Sequence, residues 1–103
     1  MDITELPSTE FAPGDVVSVW QDGWRMAVVV EVGWKWTKLV DCSTLEARKV
    51  TLEELRKARR GKVAPAQAAA LIRRMRATFK RCKVSFRNGP VKAALAVLER
   101  TDK

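Results

Sequence analysis

PGDVVSVWQDGWRMAVVVEVGWKWTKLVDC, residues 13–42, is the stretch whose reading decides the fold. After Pro13-Gly14-Asp15, the residues Val16, Val17, Val19 and Trp20 make a short β-branched and aromatic run closed by Gln21-Asp22-Gly23. This predicts a strand and a turn, because Asp-Gly supplies the positive φ that a tight connection needs. Residues 25–32 then alternate, with Met26, Val28, Val30 and Val32 on one face and Arg25, Ala27, Val29 and Glu31 on the other. A half-buried strand is the expectation. Gly33 breaks the run and Trp34 to Cys42 resumes it: Trp34, Trp36, Lys38, Val40 and Cys42 lie opposite Lys35, Thr37, Leu39 and Asp41, and either face qualifies for burial. Beyond a polar turn at Ser43-Thr44, Glu46 to Val50 supply a fourth strand, and Thr51-Leu52-Glu53-Glu54 has the spacing of a capping box opening a helical turn. Strands this short and closely spaced bury a Val-rich face only by curving, which predicts a small barrel.

Three segments carry a resemblance: PGDVVSVW at 13–20, GWRMAVVVEV at 23–32 and VTLEELR at 50–56. They resemble the Tudor, KOW and SH3-like small barrels, over about residues 13 to 57. The resemblance implies a five-stranded barrel and a binding module for nucleic acid, polymerase, ribosome or methylated peptide rather than an enzyme. Two departures stand out. No fifth strand is evident after Leu55, and the chain has no Tyr for a methyl-lysine cage.

The second half has helical periodicity. Pro65 is placed as a first helical residue, and Ala66 to Phe79 is rich in Ala, Leu, Met and Arg. At 100° per residue Ala68, Leu71, Ile72, Met75, Phe79, Cys82 and Phe86 share one face, with Arg73, Arg74, Arg76, Lys80, Arg81 and Arg87 around the rest. The helix either continues to Arg87 or stops near Arg81, in which case Cys82, Val84 and Phe86 alternate as a strand that would be the missing fifth. Asn88-Gly89 reads as a turn and Pro90 as the start of a last helix carrying Val91, Ala94, Leu95 and Leu98. Cys42 and Cys82 both read as core residues. The expected class is therefore α+β: an acidic arm over 1–12, an SH3-like (Tudor-like) barrel over 13–57, a basic linker over 58–64 with Gly61 as a helix C-cap, and a basic helical hairpin over 65–103 that packs on the barrel.

Charge is divided as sharply as periodicity. Residues 1–46 hold eight acids and three bases, whereas residues 47–103 hold seventeen bases and four acids, which accounts for the net +8 of the 103-residue chain. Such asymmetry points to a polyanionic partner. The phosphate-contacting set is expected to be Arg73, Arg74, Arg76, Lys80 and Arg81 on the helix, supported by Arg56, Arg59, Arg60 and Lys62. Arg outnumbers Lys on that helix, which favours bidentate phosphate contacts. Trp20, Trp24, Trp34 and Trp36 fall within 17 residues. One or two should plug the barrel, and Trp24, Trp34 and Trp36, with Lys35 beside them, are the candidates for a base-stacking platform.

Exclusions narrow the classes further. The chain has no His, no CxxC pair, no GxxxxGK[ST] and no GxSxG, so neither a metal site, a cofactor nor a catalytic group is expected. No apolar stretch approaches the roughly 18 residues of a membrane span, and the acidic start is unlike a signal peptide, so a cytoplasmic protein without a membrane partner is expected. The leading expectation is a non-catalytic nucleic-acid-binding accessory regulator, for DNA or RNA and tolerant of sequence. The alternative is an adaptor or inhibitor that holds a protein of the transcription or translation machinery through the barrel, and opposite charges on the two halves also permit a homodimer.

Overall fold

The computed structural model describes residues 11–20, 23–60 and 63–101. The proposed arm therefore lies outside the described residues except at its end, as do Gln21-Asp22, Gly61 and Lys62. Five strands follow in chain order: β1 (Val16–Trp20), β2 (Trp24–Val32), β3 (Trp36–Asp41), β4 (Ala47–Thr51) and, after a helical turn α1 (Leu52–Arg56), β5 (Arg59–Arg60). Two helices, α2 (Pro65–Arg81) and α3 (Asn88–Thr101), complete the α+β fold. The sheet is antiparallel in the order β4-β3-β2-β1-β5.

Local chemistry explains most boundaries. Between β3 and β4 the Asp41 carboxylate accepts from the backbone N–H groups of Ser43 (2.7 Å) and Thr44 (3.0 Å), the Asx geometry that turns a chain. At α1 the Thr51 hydroxyl accepts from Glu54 N–H while the Glu54 side chain accepts from Thr51 N–H, so the capping box forms as expected. Within β2 a bulge at Val30 shifts the register against β3 between Val29 and Glu31.

The fifth strand is where the sequence reading needs correction. It lies inside the supposed linker: Arg60 pairs with Val17 and Arg59 with Ser18. Cys82 to Phe86 is neither a helical continuation nor a strand, because α2 ends at Arg81 and irregular chain leads to α3. The last helix also begins at Asn88, so Asn88-Gly89 is its first turn rather than a preceding loop.

Strand β2 is buried on both faces, not one. Val16, Val28 and Val40, aligned across β1, β2 and β3, join Cys42 and Leu45 in a core closed by Ala68, Ala69 and Ile72 of α2 and Val91, Ala94, Val97 and Leu98 of α3. The alternate residues Val17, Val19, Ala27, Val29 and Leu39 form a second core on the other face with Val50, Leu55 and Phe11. Phe11 thus belongs to the packed structure rather than to a loose arm. Neither core contains a Trp, so the expected barrel plug is made of Val and Leu instead.

The last turn of α3 is seated on the start of β1. Gly14 has φ +99° and donates its N–H to Val29 O at 2.7 Å; a Cβ there would fall 1.8 Å from Thr101 Oγ1. Only glycine fits both the backbone and the space. At its other end α3 is reached through a tight stop of α2: Lys83 N–H donates to Lys80 O and Val84 N–H to Phe79 O, with Lys83 at φ 59°. This is a Schellman closure that holds Lys in the left-handed conformation favoured by Gly. Replacing Lys83 with Gly should raise stability by about 0.5 to 1 kcal/mol, read as a higher urea midpoint at unchanged m-value.

The two cysteines part company. Cys42 is fully buried, and Cys82, at the end of α2, is exposed, contrary to its expected place in the core. Burial first, and the Asp41 carboxylate second, push the Cys42 thiol from 9.0 up to about 12. Above pH 9 an unfolded chain loses this proton while the folded one keeps it, so stability falls as pH rises from 9 toward 12. The alkaline slope of the melting temperature should be shallower in Cys42→Ala than in the wild type, and a thiol reagent at pH 8 should modify one cysteine per native chain, Cys82.

Candidate functional site

The four tryptophans separate into two pairs. Trp20 and Trp24 are cross-strand partners at the end of the β1–β2 hairpin, their rings edge to face at 5.5 Å, with the Arg59 guanidinium 4.7 Å from the Trp24 centroid. Trp34 and Trp36 lie at the β2–β3 hairpin, and the run of β2 between the pairs puts them about 25 Å apart. Trp24, Trp34 and Trp36 therefore do not form one platform. Trp34 is the most exposed at 83 %, with Lys35 Nζ 4.9 Å from its ring centroid. Trp36 is half-buried: its ring packs on Gly33, where a Cβ would approach to 3.1 Å, and Lys49 Nζ sits over it at 4.4 Å. Trp20, not among the expected stacking residues, is 63 % exposed and stands opposite Trp24 in the first pair.

The expected cations are spread over two regions. Arg74, Lys80 and Arg81 project from α2 into solvent. Arg73 is also exposed but ion-paired with Glu99 of α3, and Arg76 is half-buried with its Nε shielded from solvent. On the β5 side Arg56 is exposed and Arg59 lies against Trp24. Arg60 contributes its backbone to β5, and Lys62 lies outside the described residues.

Sequence reasoning missed the concave surface. A groove of about 1130 Å³ runs between β3–β4 and the connection from α2 to α3. Lys38, Arg48, Lys49 and Arg87 line it with a single acid, Glu46, while Phe79, Val84 and Phe86 make its apolar wall. The two Phe rings lie 6.0 Å apart. Lys38 and Lys49 are direct cross-strand partners, an arrangement of like charges that weakens a sheet when nothing neutralises it. Lys38, Lys49 and Arg87 come from three separate segments, so the one local signal was the shared face of Trp36, Lys38 and Val40 on β3.

Among the described residues no cluster of His, Cys, Asp and Glu is arranged to hold a metal ion, and no helix is long and apolar enough to cross a membrane. Comparison of the chain with known protein families, curated proteins and solved structures finds no match.

Proposed function

We propose that the chain is a non-catalytic nucleic-acid-binding protein that holds the phosphate backbone through Arg74, Lys80 and Arg81 of α2. The observation that carries this reading is the charge of the α2–α3 region: residues 63–101 contain nine bases and one acid, Glu99. Such a surface is self-repelling until an anion neutralises it. Few Asn or Gln side chains lie among these cations, so contacts are to phosphate rather than base edges and binding tolerates sequence.

The sheet fits an SH3-like barrel in this reading. Support comes from the strand order β4-β3-β2-β1-β5, from the capped helical turn between β4 and β5, and from the core of Val17, Val19, Val29, Leu39 and Leu55 on one face. The barrel then presents α2 and α3 from its outer face.

A second reading rests on the opposite end of the sheet. Trp20, Trp24 and Arg59 form an exposed aromatic and guanidinium cluster of the composition found at protein-binding hot spots, which favours an adaptor for a protein partner. Intrinsic Trp fluorescence separates the two. Titration with nuclease-free duplex DNA, single-stranded DNA and RNA should give saturable, salt-sensitive quenching; absence of any response at low salt would leave the adaptor reading.

A further inference from the structure

We propose that the groove between β3–β4 and the α2–α3 connection is a site for an unpaired nucleotide segment, with a base against Phe79 and Phe86 and its phosphates against Lys38, Lys49 and Arg87. This rests on the nucleic-acid reading above and narrows it to single strands.

The lining carries the argument. A surface used only for duplex phosphates needs cations and polar groups, because paired bases hide their faces in the stack. Here cations rim an apolar wall that includes two aromatic rings and Val84, which is 48 % exposed. Aromatic faces within a positive groove are the combination that holds single strands by stacking without reading sequence. The volume, about 1130 Å³, is above the roughly 300–1,000 Å³ of small-ligand pockets, which gives room for a base and its flanking phosphates.

The charge of the rim is the second observation. Lys38 and Lys49 face each other across the β3–β4 ladder; Glu31 of β2 is the partner of Lys38 on its other side, and among the described residues neither lysine forms an ion pair. Lys49 is held over Trp36, which positions its ammonium beside the groove. Glu46 is the one acid of the lining, against Lys38, Lys49 and Arg87; Arg48 alternates with Lys49 and pairs with Leu39 of the other face. A phosphate between Lys38 and Lys49 would contact both ammonium groups and relieve their mutual repulsion.

The test compares a fluorescently labelled 15-nucleotide oligo(dT) with a 15-base-pair duplex, at one salt concentration, for the wild type, K38Q/K49Q and Phe86→Leu. Leu keeps apolar volume and removes the ring, and far-UV circular dichroism checks that each variant is folded. Wild type should bind oligo(dT) about tenfold tighter than duplex, and both variants should lose most of that advantage while duplex affinity changes less than about threefold. Equal wild-type affinity for the two polymers, or variants that leave the preference intact, would overturn the groove assignment and leave backbone binding by α2 standing. Binding to neither polymer would overturn both readings.

Discussion

Replacing Arg74, Lys80 and Arg81 together with Gln should weaken nucleic-acid binding by about two orders of magnitude near 0.1 M salt. Each phosphate contact contributes about 0.9 to the slope of log affinity against log salt on duplex DNA, so three contacts account for roughly 2 to 3 units of slope and a similar number of decades at that salt. The three side chains are exposed on α2, and none is required by either core. Gln is also a good helix former, so α2 should persist. Arg73→Gln alone should have a smaller effect, because Arg73 is already shared with Glu99 across the α2–α3 interface. Filter binding or anisotropy over a salt series reads both quantities. A triple variant with wild-type affinity and slope would move the interface away from α2.

The other large effect concerns the sheet. Leu39→Ala and Ile72→Ala should each cost about 2 to 5 kcal/mol, since both side chains are fully buried and truncation removes buried apolar surface and leaves a cavity. They sit on opposite sides of the sheet: Leu39 in the core with Val17, Val29 and Val50, and Ile72 in the core that α2 and α3 close over Val16, Val28 and Val40. Because β1, β2 and β3 supply residues to both cores, loss of either should unfold the whole chain together. The tryptophans make this measurable. All four lie on the sheet or its hairpins, whereas the helices dominate ellipticity at 222 nm, so the two probes report different parts of the molecule. Their urea transitions should coincide in the wild type and in both variants. A helical signal lost before the Trp signal would mean that the helices are a separable layer.

Much of this architecture is legible in the chain because local chemistry sets it. Asp41 closes its own turn, Thr51 and Glu54 cap α1, Pro65 opens α2, and Val91, Ala94 and Leu98 face the core at helical spacing. What was not legible depends on partners distant in sequence. Arg59 and Arg60 form a strand only because Val17 and Ser18 offer an unpaired edge; two basic residues carry no strand pattern of their own. The doubly buried β2 did leave a signal, the unbroken Met26 to Val30, which alternation between two faces masks. Cys82 follows helical spacing up to the point where the Lys83 turn ends the helix, and beyond that point the periodicity no longer places side chains.

The same division applies to the site. The basic face of α2 is readable from 3.6-residue spacing, but the pairing of Arg73 with Glu99 needs the packing of α3. The clustering of four tryptophans within 17 residues suggests one platform, whereas the hairpins place them in pairs at opposite ends of a nine-residue strand. The groove is the most tertiary feature, built from β3, β4 and an irregular connection.

The measurement closest to the central claim is the salt dependence of wild-type binding to a generic nucleic acid, from 50 to 200 mM monovalent salt. Phosphate binding by the α2 cations predicts a linear log–log plot with a slope of about −3 or steeper, the same for unrelated sequences. A flat plot, or no binding at 50 mM, would contradict it and assign the basic helix to another role.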